Sequence, residues 1–331
     1  MKLDKKSIKN FVYYQNSKKQ LLTPGPASLL VENLIGIEPS FGRGDIAYEI
    51  VEKKVLDYLK KISGHKKIVR LQGSASLALE VMILNFLRGN IFVLKTGVYS
   101  DRLFEISKFA KAHFKNIKKI EYIDWKEIKN YKGKIDWILA CYVETSVGLK
   151  LSIKDLKDFK RRMKSKLALD ATASIGLEEN HEIADVIGYS SCKGLFGLTG
   201  AGFIAYNNEP KNKVKSFNLN IENHINKKMT GPYHAICSLI NVLKNHKKFK
   251  QSVIINKKKI MRKMIKNLVF KKKYQPLICT QLSKKILSRN KQTIFYKPRI
   301  DIKGSIVCHL GEVHLMNKAK GKIIDNLYLD E

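Results

Sequence analysis

Between about residue 65 and residue 206 the chain alternates short apolar runs with longer amphipathic ones, and this alternation constrains its fold more than any other feature. Ile68-Val69-Arg70-Leu71, Ile91-Phe92-Val93-Leu94 and the run from Trp137 to Tyr142 read as strands. Residues 75–88, 100–112 and 153–163, the longer runs between them, read as helices. Leu167-Ala168-Leu169, Val186 to Tyr189 and Gly202 to Tyr206 add three more short strands. Such alternation predicts an α/β fold with a mostly parallel sheet covered by helices. Ligands of such sheets bind beyond the carboxyl ends of the strands.

The rest of the chain is organised around this block. Residues 1–20 are polar and basic and read as an N-terminal extension. Residues 21–215 form the expected large domain, entered through the turn-rich segment Leu21-Leu22-Thr23-Pro24-Gly25-Pro26 and an amphipathic helix over about 45–62. Residues 216–331 read as a linker helix, lysine-rich over 231–268, followed by a smaller α+β C-terminal domain with strand-like pieces at 277–279, 293–296 and 305–308.

Composition narrows the classes. A chain of 331 residues with 44% hydrophobic residues is long enough to bury a large core. No apolar run approaches the roughly 20 residues that a membrane-spanning helix needs. The first residues, Met1-Lys2-Leu3-Asp4-Lys5-Lys6, lack the apolar stretch of a secretory signal. Cys141, Cys192, Cys237, Cys279 and Cys308 show neither paired nor metal-like spacing and read as free thiols of a cytoplasmic protein. The net charge of +34 raises the question of nucleic acid. The excess is almost all lysine, is spread along the whole chain and lacks interleaved aromatics, so it does not favour that reading. A positive field attracts anionic substrates equally well.

The chemistry-bearing residues follow the predicted strands one after another. Gln72-Gly73-Ser74-Ala75-Ser76 opens a helix, where backbone N–H groups and hydroxyls suit an anion such as phosphate. The plain alternative is an ordinary serine N-cap. Tyr99 lies just past the next strand and offers a ring that can stack on a flat ligand, or a half-buried core tyrosine. Glu144-Thr145-Ser146 follows the third strand, where Thr145 can bond a ligand oxygen or simply serve a polar turn. Asp170 ends an apolar strand, a costly place for a carboxylate without a partner. Lys193 sits in the small-residue loop Ser190-Ser191-Cys192-Lys193-Gly194. An amine for a Schiff base and a carboxylate for a pyridinium nitrogen are what pyridoxal 5'-phosphate (PLP) requires. Asp170 would keep that nitrogen protonated, and Lys193 would act as the base that moves the substrate proton.

The order and wording of these segments resemble the class V, fold-type I PLP aminotransferases, the 2-aminoethylphosphonate–pyruvate transaminases in particular. The family's TPGP stands here as Thr23-Pro24-Gly25-Pro26, and its QGSGT resembles Gln72 to Ser76. Its NGAYG resembles Thr96 to Ser100, its ETTTG resembles Glu144 to Gly148, and its VDAMSSFGG resembles Leu169 to Gly176. Its SSANKCIQGVPGFGF resembles Ser190 to Phe203, and its FTPP resembles Met229-Thr230-Gly231-Pro232. The resemblance covers about residues 21–245. It implies a homodimer in which Thr230 reaches the partner's cofactor phosphate, with Ser74, Ala75 and Ser76 holding that phosphate from their own chain. It also implies that Arg43, in Phe41-Gly42-Arg43-Gly44-Asp45, is a ligand of the substrate's anion.

Two departures stand out. The family's FRIGNIGEV-like strand carries an arginine that grips the substrate's carboxylate or phosphonate, and Ile306 occupies that position here, with Arg299 or Lys303 as possible substitutes. The C-terminal domain is also shortened, with little chain after Val313. The expected activity is transfer of an amino group from a small amine, 2-aminoethylphosphonate or similar, to a keto acid such as pyruvate. A serine– or alanine–glyoxylate-type transferase, a lyase, and a non-catalytic binding protein on the same fold remain open.

Overall fold

The computed structural model describes residues 5–26, 28–37, 42, 44–310 and 323–330. Arg43, Met1 to Asp4 and the segment Gly311 to Val313 lie outside the described residues.

The chain begins with helix α1 (Lys5–Ser17), strand β1 (Gln20–Leu22) and the short helix α2 (Val31–Ile35). Helix α3 (Ile46–Ser63) follows, its first turn capped by the Asp45 carboxylate, which accepts from the Ala47 amide at 2.9 Å. Then come β2 (Lys67–Gln72), α4 (Ala75–Phe86), β3 (Gly89–Lys95), α5 (Val98–His113) and β4 (Ile117–Asp124). After β5 (Trp137–Cys141), the small ladder β6 (Val143–Glu144) with β7 (Leu149–Lys150) leads into α6 (Ile153–Met163). The strands β8 (Lys166–Asp170), β9 (Val186–Ser190) and β10 (Ala201–Tyr206) finish the block.

Seven of these strands form one sheet in the order β2-β10-β9-β8-β5-β3-β4. Only β10 runs against the others, pairing antiparallel with both β9 and β2. The expected mostly parallel sheet is therefore present, and every strand predicted from residue 68 to 206 belongs to it. Strand β4 went unread, because Lys118, Lys119 and Glu121 interrupt its apolar pattern. It is an edge strand that pairs with β3 alone, so these polar side chains cost nothing there.

Helix α4 is apolar almost all round, and eight of its residues are buried, from Ala78 to Phe86. A helix of that composition has to be covered on several sides, and it packs between the sheet and α5. Its first turn lies close to the strands beneath it. A Cβ on Gly202 would stand 3.0 Å from the Ser74 carbonyl oxygen and 3.3 Å from the Ala78 Cβ. That close seat aims the helix N-terminus over the carboxyl edge of the sheet.

The second half begins with α7 (Ile221–Ile225), α8 (Tyr233–Lys244) and α9 (His246–Lys263). The single helical stretch expected over 231–268 is split at Asn245, which hands the chain from one helix to the next. Strands β11 (Cys279–Leu282), β12 (Ile286–Ser288), β13 (Thr293–Phe295), β14 (Ser305–Cys308) and β15 (Leu327–Leu329) form two-stranded ladders. One ladder is β1 with β13, in parallel. Leu22 of β1 is buried with Ile260, Leu282, Val307 and Leu327, so the first strand packs with the C-terminal layer.

Two buried histidines make this core sensitive to acid. Burial pushes His181 and His309 down to about 3. His309 bonds the Leu277 carbonyl through Nδ1 at 2.8 Å and Thr280 Oγ1 through Nε2 at 3.1 Å. A histidine in the unfolded chain binds a proton near pH 6.5, while these two stay neutral in the fold. Below that pH the unfolded state takes up more protons than the native one. The stability these groups contribute is therefore complete above about pH 6.5 and is lost as the pH falls towards the folded value. The melting temperature is expected to drop between pH 7 and pH 5, and His309→Gln to flatten that drop. A melting temperature independent of pH across this range would contradict the assignment.

Candidate active site

The carboxyl ends of β2, β3, β5, β8 and β9 open on one cavity of about 540 Å³. Ser74, Ala75 and Ser76 line it from the loop after β2, Tyr99 from the loop after β3, and Thr145 from the turn after β5. Asp170, the last residue of β8, and Lys193, in the loop after β9, complete the wall. Seven residues singled out in the sequence thus meet in one place. Thr230 does not line this cavity; it is exposed, next to Gly231, which packs against the Arg70 side chain.

One corner of the cavity is built from a helix end and a guanidinium. Ser74 caps α4, its Oγ accepting from the Leu77 amide at 3.4 Å. The amides of the first helical turn have no partner within their own helix, and the macrodipole adds partial positive charge there. Arg102 Nη1 donates to Ser76 Oγ at 2.9 Å and lies 5.3 Å from the centre of the Tyr99 ring. The sequence reading missed Arg102. It sits three residues after Tyr99, just past the first turn of α5, and that helical spacing places the two side chains on one face.

Glu144 serves position, not contact. Its carboxylate is fully buried and accepts the Tyr99 amide at 3.1 Å and the Ser100 amide at 3.2 Å. It also accepts the Ser146 amide at 3.2 Å. Burial pushes its pKa up, and the Ser146 and Ser100 hydrogen bonds pull it back. One carboxylate therefore caps α5 and ties the Tyr99 turn to the Thr145 turn.

Lys193 stands on a loop held from several sides. The Phe196 amide donates to the Lys193 carbonyl at 2.9 Å, and the Gly197 amide to the Ser191 carbonyl at 2.8 Å. His246, the first residue of α9, donates from Nε2 to the Gly194 carbonyl at 2.8 Å. Gly194 itself has no room for a side chain, since a Cβ would stand 2.3 Å from the Ile175 carbonyl oxygen. The Lys193 amine ends 5.2 Å from the centre of the Tyr99 ring.

Asp170 is 5% exposed and, among the described residues, forms no ion pair. Its carboxylate accepts the Thr172 amide at 2.9 Å. Burial pushes its pKa up, while Thr172 and then the charges of Lys193 and Arg102 draw it down. A buried carboxylate facing a cavity is suited to a cationic or N–H-bearing ligand. Thr145 Oγ1 gives an independent sign. It is buried, lines the same cavity and has no hydrogen-bond partner among the described residues. An orphaned buried hydroxyl costs about 1–3 kcal/mol, which a ligand oxygen or nitrogen would recover. Anion cradle, aromatic face, amine, carboxylate and free hydroxyl together fit a flat, phosphorylated pyridine aldehyde. Ile306, in contrast, points away from any ligand, buried in the main core at 1% exposure.

No family model matches the chain. Among curated proteins it is 24% identical over 229 residues to a bifunctional phosphonoacetaldehyde hydrolase/aminoethylphosphonate transaminase of Clostridioides difficile, covering 65% of this chain and 36% of that protein. It is 23% identical over 253 residues to a 2-aminoethylphosphonate–pyruvate transaminase of Rhizobium meliloti, covering 69% of this chain and 66% of the relative. A third relative, of the same name from Pseudomonas putida, is 25% identical over 197 residues, 56% of this chain and 54% of its own length. The chain thus spans between about a third and two thirds of the length of the curated relatives it matches. Among solved structures, an alanine–glyoxylate aminotransferase of Nostoc superposes with a TM-score of 0.75 at 16% identity, covering 93% of both chains. A PLP-bound phosphoserine aminotransferase of Trichomonas vaginalis gives 0.72 at 14% identity, over 93% of this chain and 99% of that one. Identities this low speak for shared architecture: the chain has the α/β fold of the fold-type I PLP-dependent aminotransferases.

Proposed function

We propose that this protein is a PLP-dependent aminotransferase that moves the amino group of a small amine to a keto acid. The observation that carries the reading is the convergence of Lys193, Asp170, Tyr99, Thr145 and the α4 N-terminus on one cavity, each from a different strand end. PLP, when bound, supplies an electron sink for the charge left when a proton departs from the amine-bearing carbon.

The chain's own residues do the rest. The α4 N-terminus, Ser74, Ala75, Ser76 and Arg102 hold the phosphate. Asp170 accepts the pyridinium N–H and, being buried, keeps that nitrogen protonated. Tyr99 covers one face of the ring, and the Thr145 hydroxyl donates to the ring's phenolic oxygen. Lys193 anchors the cofactor's aldehyde carbon through its Nζ. The Lys193 Nζ, when free, would also be the base that takes and returns the proton of the substrate's amine-bearing carbon.

The named relatives make 2-aminoethylphosphonate and pyruvate the first pair to test. A homodimer is part of the proposal, with Thr230 reaching the partner's phosphate. Ile46 and Ile50, one turn apart on α3, and Ile225, the last residue of α7, are exposed apolar residues that a subunit contact could cover. The five free cysteines accord with a cytoplasmic setting. Among the described residues no helix is long and apolar enough to cross a membrane.

Protein loaded with PLP is expected to show a visible absorption band that disappears when an amine donor is added and returns with pyruvate. Lys193→Ala should lose that band and lower kcat by about a thousandfold or more; normal turnover in this variant would end the proposal. Asp170→Asn should keep the phosphate-dependent affinity but lower kcat by about a hundredfold. Gly194→Ala should destabilise the fold by about 1–3 kcal/mol, because the new Cβ meets a backbone carbonyl. Displacing the Lys193 loop in this way should also weaken PLP loading, measured as the cofactor concentration that half-saturates the band.

A further inference from the structure

Among the described residues three cations line the cavity, Lys193, Arg102 and Arg299, against the single carboxylate of Asp170. Two of them are committed. Arg102 is bonded to Ser76 and lies over Tyr99, in the corner with the α4 N-terminus. Lys193, its amine 5.2 Å from the centre of the Tyr99 ring, is the residue assigned above to the cofactor's aldehyde. Arg299 is different. It stands in the loop after β13, is exposed, and among the described residues has neither a hydrogen bond nor an ion pair.

Its location follows from the pairing of distant strands. Strand β13 runs parallel beside β1, with Leu22 opposite Phe295. Both chains leave this ladder in the same direction, so the Gly25-Pro26 loop and the Arg299 loop arrive together and both line the cavity. Lys303, four residues further on, is exposed and does not line it. The buried Ile306 offers only a hydrocarbon side chain to its core neighbours.

We infer that Arg299 is the specificity-determining residue that binds the anionic end, carboxylate or phosphonate, of the amine donor and of the keto acid acceptor. The inference rests on the aminotransferase reading and adds the substrate class to it: a small molecule with an amine or carbonyl at one end and an anion at the other. A guanidinium with both edges free takes a carboxylate or phosphonate oxygen pair in a bidentate fork, which fixes orientation as well as affinity. With Asp170 facing the pyridine nitrogen and Arg102 the phosphate, Arg299 leaves a net positive charge at the mouth. Such a mouth attracts an anionic substrate and gains nothing from an uncharged one.

The test is calorimetric titration of the PLP-loaded protein with ethylphosphonate and with propionate, which carry the anion but no amine or carbonyl. The wild type, Arg299→Ala, Arg299→Lys and Lys303→Ala are compared. Arg299→Ala should weaken binding of either anion by about tenfold to a hundredfold. Arg299→Lys should recover part of this, and Lys303→Ala should leave it unchanged. In steady state the Arg299→Ala loss in kcat/KM should be at least about tenfold greater for 2-aminoethylphosphonate or alanine than for ethanolamine. Equal anion binding by wild type and Arg299→Ala, or a loss that follows Lys303, would overturn the inference. Failure of every donor to react in the wild type would strike the aminotransferase reading instead. The anion titration would still decide the role of Arg299.

Discussion

Six strands that run the same way present their carboxyl ends at one edge, and the rest of the site depends on this single constraint. A parallel pair cannot be closed by a tight turn, so each of these strands but β9, which turns back into the antiparallel β10, is followed by a crossover that begins at that edge. The connections that leave this edge include Gly73 to Ser76, Gly97 to Ser100, Val143 to Ser146, Ala171 to Ala173 and Ser191 to Lys193. Convergence is thus a property of the topology. The sequence has only to place the right side chain at the end of a strand or within a few residues past it. The antiparallel β10 starts at the same edge, and its leading residues Thr199 and Gly200 close the cavity beside β2.

The site is assembled at some expense in stability. Asp170 and Glu144 are carboxylates whose burial raises their pKa values, and the Thr145 hydroxyl is buried without a partner. At Thr145 an apolar residue of the same shape would fold at least as well. The two carboxylates have different functions. Glu144 is satisfied within the chain, by backbone amides of α5 and of its own turn, so its charge is structural. Asp170 receives one amide and otherwise faces the cavity, so its charge is left for a ligand. The distinction rests on hydrogen bonds, since both residues end an apolar strand and look alike in sequence.

The C-terminal half departs furthest from the family pattern, and packing accounts for it. Ile306 and Val307 face opposite sides of β14, one into the main core and the other into the C-terminal cluster. An arginine at 306 would bring an unpaired charge into the interior. The parallel ladder of β1 with β13 supplies a cation by another route, carrying Arg299 to the rim beside Gly25 and Pro26.

Periodicity and turn residues are local signals, so the sequence by itself determined the strand–helix order from residue 68 to 206, the helix N-termini and the candidates Ser74, Tyr99, Thr145, Asp170 and Lys193. It did not reveal β4, whose lysines are tolerated only because no second strand covers that edge. It also did not reveal the break at Asn245, which lets His246 reach the Gly194 carbonyl from 52 residues away. Only the tertiary structure decided that Arg102 bonds Ser76 at the α4 N-terminus and that Arg299, not Lys303, reaches the cavity. It alone decided that Glu144 is spent on capping a helix. The reason is physical. A side chain's partner is set by which distant backbone lies beside it, and that is settled by strand pairing and core packing across the whole chain.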